Sequence, residues 1–193
     1  MKRRISIEQY RDIDLTIFLL ILLVIEYVVQ RAAGSWYPGE LYTVSVTASV
    51  TGIVMMRWGS FGAIHAVAGA VVYVLATGGG AKQLIVYCIG NLFSLLMLFF
   101  FRNDGKKKIK DNILLTLLYA AGVQILMQTG RGLVAMPLFG TGIETVSKFI
   151  LIDALSTLFT GVVICIAGRL DGVFEDQRAY LERMNQERKD QEG

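Results

Sequence analysis

Six stretches of this chain are apolar for close to the length a bilayer demands, roughly 20 residues each, and no other feature constrains the fold so strongly. They run from Ile13 to Ala33, Leu41 to Met56, Gly59 to Thr77, Gln83 to Phe101, Ile113 to Gln128 and Val146 to Gly168. Of the 193 residues, 54% are apolar or aromatic and only 18% are charged, where a water-soluble domain carries about 25% charge. A globule of this size leaves roughly a third of its chain surface in water, so this much apolar surface needs lipid as its solvent. The expected fold is an all-α integral membrane protein with six transmembrane helices over residues 1–168, followed by a cytoplasmic amphipathic helical tail over 169–193. Two prolines and the lack of a polar low-complexity tract exclude a disordered or collagen-like chain. The first stretch is too long for the roughly 7–15-residue core of a signal peptide. Cys88 and Cys165 both lie in apolar runs and read as small apolar fillers, not as a disulfide or zinc framework.

Orientation follows from the basic residues. With both termini cytoplasmic, fifteen of the nineteen Lys and Arg fall on the inner side and four, Arg31, Lys82, Arg131 and Lys148, on the outer side. That bias fits the positive-inside rule and an even number of spans, and implies a multi-pass protein of the cell membrane. A second apolar run after the fifth span, Leu133 to Phe139, is bounded by Gly130, Gly132, Pro137 and Gly140 and is too short to cross. It is expected as a separate dipping or capping piece on the outer face.

Polar groups inside the spans need a partner or a wet cavity. Glu26 and Tyr27, the loop residues Arg31, Trp36 and Tyr37, then Tyr87, Asn91, Gln124, Gln128, Arg131, Glu144, Lys148 and Asp153 all fall toward the outer side, whereas the inner halves hold little beyond Arg57 and His65. Two readings compete. In the first, Glu26, Arg31, Arg131, Glu144, Lys148 and Asp153 pair near the interface, with Trp36 and Tyr37 in an aromatic belt. In the second, the amides of Asn91, Gln124 and Gln128 and the rings of Trp36, Tyr87 or Tyr42 line a pocket open to the outside, since a mostly apolar pocket with a few placed polar groups suits small-molecule recognition. The candidate solute contacts, with the ion pairs framing them, are Glu26, Trp36, Tyr87, Asn91, Gln128, Arg131, Glu144, Lys148 and Asp153. The mixed charge points to a zwitterionic or polar aromatic solute.

On the third stretch Gly62, Ala66 and Ala70 recur every four residues, a spacing that lets helix backbones approach closely. Their partner is either another helix of this chain or a separate membrane subunit. His65 reads as a satisfied buried histidine, with no second His to join it. The segment Asn103 to Lys110 carries four Lys and one Asp; it either only fixes topology or also attracts anionic head groups. In the tail, Leu170, Val173, Phe174, Leu181 and Met184 fall on one helical stripe. A solvated extension of the last helix and a docking helix for a partner both fit it. An enzyme is not expected: the chain has no HExxH, GxSxG or Walker-type motif and no paired His for a metal, so no metal, cofactor or ATP site is signalled. Nucleic acid is not expected as a partner; a small solute and membrane lipids are.

The order of these features resembles the substrate-binding S component of energy-coupling factor (ECF) transporters, small six-helix proteins of bacteria and archaea that bind a vitamin or related micronutrient. The similar stretches are Val50-Thr51-Gly52-Ile53-Val54-Met55-Met56-Arg57-Trp58-Gly59, leading into Gly62-Ala63 and Gly69-Ala70, and Glu144-Thr145-Val146-Ser147-Lys148-Phe149-Ile150-Leu151. The resemblance implies an outward-facing pocket built mainly by the fourth to sixth helices and docking to a transmembrane coupling subunit driven by two cytoplasmic ATPases. It also implies an Ala-x-x-x-Ala pattern on the first helix, which here is rich in Leu and Ile and lacks that spacing. Either the face of Gly62, Ala66 and Ala70 docks instead, or the chain belongs to a related six-helix group. Two other readings stand beside it. One is a non-transport membrane scaffold whose cytoplasmic tail recruits a cell-envelope or morphogenetic partner. The other is an independent ion-coupled carrier, which would need internal repeats and broken helices; no convincing repeat relates the two halves.

Overall fold

A capping box sets the start of the first helix: the Gln9 backbone N–H donates to Ser6 Oγ at 3.1 Å, and the Ser6 N–H donates to the Gln9 side chain at 3.1 Å. The structure, a computed structural model, describes residues 6–36, 44–102, 104–170 and 172–192, apart from the side chains of 185 and 187–192. Within them α1 (Ile7–Trp36), α2 (Thr47–Trp58), α3 (Gly62–Thr77) and α4 (Ala81–Asn91) are followed by a 3-10 segment, Leu92–Phe101. Then come α5 (Gly105–Asp111), α6 (Ile113–Phe139), α7 (Glu144–Ile152), α8 (Ala154–Arg169) and α9 (Gln177–Glu192). The described residues contain no strand. Tyr37, Tyr42 and the start of the second expected span, residues 41–43, lie outside them.

Among the described residues three helical stretches are long and apolar enough to cross a membrane, Thr47–Thr77, Ala81–Phe101 and Ile113–Phe139, and α7 with α8 makes a fourth if the 53° bend between them is one broken span. The first stretch doubles back. Gly69 lies so close to Thr47 that a Cβ on it would meet the threonine side chain at 2.4 Å, yet 22 residues of continuous helix would hold them about 33 Å apart. Gly59, at φ +64°, begins the reversal, and α2 and α3 form an antiparallel hairpin closed by Gly62 against Met55.

All twelve residues of α2 are buried, the polar Thr47, Ser49, Thr51 and Arg57 among them. Helices α1, α3, α6 and α8 pack around it, while α6 also packs on α4 and α7 and α3 on α1 and α4. The outer surface is inverted relative to a soluble protein. On α8, Ser156 and Thr160 face inward and are fully buried, while Leu155, Leu158, Val162 and Ile166 point outward, with Leu158 70% exposed. Thr160 takes a hydrogen bond from Ser49 at 3.3 Å, and the Ser156 hydroxyl one from the Ser45 N–H at 3.1 Å. On α1, Ile17, Leu20, Val24 and Val28 are similarly exposed. Contiguous aliphatic surface of this kind marks contact with a membrane or another apolar partner.

One expectation needs correction, and two alternatives left open by the sequence are narrowed. The run Leu133 to Phe139 is no separate dipping piece: it forms the last two turns of α6, a continuous 27-residue helix that ends on Gly140 in the left-handed conformation. Its glycines serve close approach, with Gly132 against the Val146 backbone of α7. Gly62, Ala66 and Ala70 are all buried by this chain's own helices, so the small-residue face offers no surface to a separate subunit here. The tail does not extend the last helix. The chain leaves α8 at Leu170 in extended geometry, Gly172 adopts φ +75°, and Phe174 enters the core edge-on to Tyr119 with its ring centroid at 6.3 Å.

Candidate functional site

Three groups stand out among the buried polar side chains of the described residues. The largest lies where α4, α6 and the α7–α8 break meet. Gly90 and Gly130 bring α4 and α6 into backbone contact: a Cβ on Gly130 would stand 2.4 Å from the Gly90 carbonyl oxygen, and one on Gly90 2.5 Å from the Arg131 nitrogen. That approach sets Arg131 beside Asn91. Arg131 Nε donates to Asn91 Oδ1 at 2.8 Å, and Nη1 donates to Gln128 Oε1 at 3.2 Å and Asp153 Oδ2 at 3.1 Å. Gln128 Nε2 also donates to the Asp153 carboxylate, and Asn91 Nδ2 to the Ala66 carbonyl at 2.8 Å. The guanidinium stacks 4.3 Å above the Tyr87 ring, which in turn stacks on Tyr73 at 4.6 Å and meets the edge of Phe149. All four hydrogen-bonding residues are buried, with Arg131 3% exposed.

Two irregularities of the helices coincide with this group. Asn91 is the last residue of α4 before the chain tightens into the ten-residue 3-10 segment, far longer than the three or four residues such winding usually lasts. Asp153 stands between α7 and α8 at their bend. Counting along the helices at 1.5 Å per residue, Asn91 lies about 15 Å from Ala81, Arg131 about 12 Å from Phe139 and Asp153 about 14 Å from Glu144. Were the ends of these helices to lie at a membrane surface, such distances would approach the middle of a ~30 Å hydrocarbon layer. An ionisable residue there is costly, and a functional site is the default explanation. The bend is also one of the two features an ion-coupled carrier needs.

A second group surrounds Glu26, which is fully buried. Its carboxylate accepts from Gln30 Nε2 at 2.9 Å, Ser45 Oγ at 3.1 Å and the Val46 N–H at 2.8 Å, while Gln30 also donates to the Val44 carbonyl at 2.7 Å. These bonds seat the carboxylate at the N-terminus of α2, where the helix dipole favours negative charge. These partners are neutral groups of this chain and not the cations expected from sequence. Trp36, Glu144 and Lys148 join neither group. Trp36 is 75% exposed, and Glu144 and Lys148 lie on the exposed face of α7.

The third group sits at the opposite, basic end. Asp14 takes a two-point grip from Arg57, Nη2 to Oδ1 at 2.7 Å and Nε to Oδ2 at 2.8 Å, and Trp58 Nε1 donates to Oδ2 at 2.6 Å. Arg57 Nη1 then reaches the tail, donating to the carbonyls of Gly172 at 2.6 Å and Val173 at 3.0 Å. Lys106 and Lys110 of α5 complete the clasp through Asp176 at 2.5 Å and Glu175 at 2.9 Å. Asp14 was missed from sequence, although an acid near the start of the first apolar stretch is the kind of residue that requires a partner. His65 is buried nearby, its Nε2 3.1 Å from the Leu15 carbonyl, and its Nδ1 has no hydrogen-bond partner among the described residues.

Two cavities, of about 400 and about 560 Å³, also open at the basic end, away from Arg131. At the Arg131 group the polar side chains bond to one another. In comparisons with known proteins, no family model matches the chain, and neither a curated protein nor a solved structure matches it significantly.

Proposed function

We propose that this chain is a multi-pass cell-membrane protein that captures a small polar nutrient from outside and hands it to an ATP-driven coupling module of the ECF type. In this reading the chain crosses the membrane six times, both termini are cytoplasmic, and the basic end with its tail faces the cytoplasm. One observation carries it: the Arg131–Asp153 pair, with Asn91 and Gln128, is buried at the points where two helices lose regular winding. A solute bearing a carboxylate or amide would take over hydrogen bonds that Asn91, Gln128 and Asp153 make to Arg131, and Tyr87 with Tyr73 would offer stacking surface.

Mass spectrometry of small molecules that co-purify with the detergent-solubilised chain tests this. One defined solute is expected with the native protein, and its retention should fall at least tenfold in Asn91→Ala and Arg131→Lys, both still monodisperse. Equal retention by all three proteins, or no solute at all, refutes the assignment. The scaffold reading draws support from the tail clasped against Arg57 and α5. It predicts no bound solute and loss of function when residues 178–193 are deleted.

A further inference from the structure

The 400 Å³ cavity between the 3-10 segment, α5 and α6 is a different kind of site. It is lined by Met97, Phe100, Ile109, Leu115, Leu118 and Tyr119 with two glycines, and among the described residues Lys108 is the single charged one in its wall. No acidic side chain of the described residues lines it. Its rim lies on the outward apolar surface, where Phe100 is 65% and Leu118 59% exposed, so an occupant reaches it sideways from the membrane. Volume and lining fall within the range of small-ligand pockets.

The face of α5 that Lys108 occupies is decided by the tail. Lys106 and Lys110, four residues apart and on one side of the helix, are held by Asp176 and Glu175. Lys108 is two residues from each, about 200° around the axis at 3.6 residues per turn, and so points away from the tail's carboxylates toward the apolar slot. Ile109 beside it is buried and anchors α5 against the bundle. We propose that this slot binds one acyl chain of an anionic phospholipid from the surrounding leaflet, with Lys108 on the headgroup phosphate. The apolar wall recognises the chain, the lone cation selects the charge, and a position at the basic end matches the leaflet in which anionic lipids concentrate.

This inference rests on the proposed orientation of the basic end and not on solute capture. Native mass spectrometry of the full chain in mild detergent, titrated with dioleoyl phosphatidylglycerol or dioleoyl phosphatidylcholine, tests it. Phosphatidylglycerol should be retained about fivefold better, the ratio expected for one added basic contact. Lys108→Gln, at an exposed position, should bring the two lipids to parity, and Leu115→Trp, which fills the slot, should lower retention of both. Equal retention of the two lipids by the native chain, or an unchanged preference in Lys108→Gln, overturns the proposal. Retention of the co-purifying solute by Lys108→Gln separates this outcome from failure of the Arg131 site.

Discussion

Removing both partners of the Asp14–Arg57 pair should cost clearly less than the sum of removing each alone. The pair is well shielded, with side-chain exposures of 14% and 7%. In Asp14→Ala the guanidinium keeps its bonds to the Gly172 and Val173 carbonyls but loses its counter-charge, and the Trp58 indole loses its acceptor. Leaving one charge of such a pair uncompensated costs about 3–5 kcal/mol; the residual exposure of Asp14 places the expected loss near the lower figure, about 3 kcal/mol. Arg57→Met should cost a similar amount, because it strands the carboxylate and frees the tail carbonyls. The double variant buries no unpaired charge, so its loss should fall short of the summed single losses by about 2 kcal/mol. Equilibrium unfolding in mixed micelles, with the denaturing detergent fraction as the variable, measures all four proteins. Single losses that add to within about 0.5 kcal/mol of the double variant would show that the two groups do not act as a unit.

The tail offers a separate test. Phe174→Ala removes a ring that is 1% exposed and should destabilise the protein by about 3–5 kcal/mol, with protease cleavage appearing between α8 and α9; unchanged cleavage would contradict the clasp. Lys110→Glu should cost less than about 1 kcal/mol, since both partners of its ion pair are 34% exposed, and adding Glu175→Lys should restore the loss at low salt only. Gly130→Val should abolish the α4–α6 contact, because even a Cβ there meets the Gly90 carbonyl. A monodisperse Gly130→Val protein of native thermal stability would show that this crossing tolerates bulk.

The all-helical character was legible because long apolar runs leave lipid-facing helices few rivals. The inward face of α6 was legible too, since Gln124, Gln128 and Arg131 recur at helical spacing. The bend at Asp153 was not, for the local sequence Leu151-Ile152-Asp153-Ala154 contains neither Pro nor Gly. Gly130, Gly132 and Pro137 misled in the opposite direction, reading as breaks although the two glycines admit neighbouring helices and Pro137 stands in the last turn of α6. The Asp14–Arg57 contact spans 43 residues, and no local pattern announces a partner at that distance. The reversal at Gly172 had a local signal, a glycine shortly past the end of an apolar run, which the helical stripe running through it obscured.

The ten-residue 3-10 segment behind Asn91 has a mechanical consequence. At ~2.0 Å per residue it is about 5 Å longer than the same residues wound as α-helix. Three residues per turn in place of 3.6 also rotate its far end by about 200° over that length. The segment is therefore a screw thread with the Arg131 group at one end and the lysine-bearing α5 at the other. Rewinding those ten residues as α-helix would draw α5 toward the bundle and swing Phe99 and Phe100 around the axis.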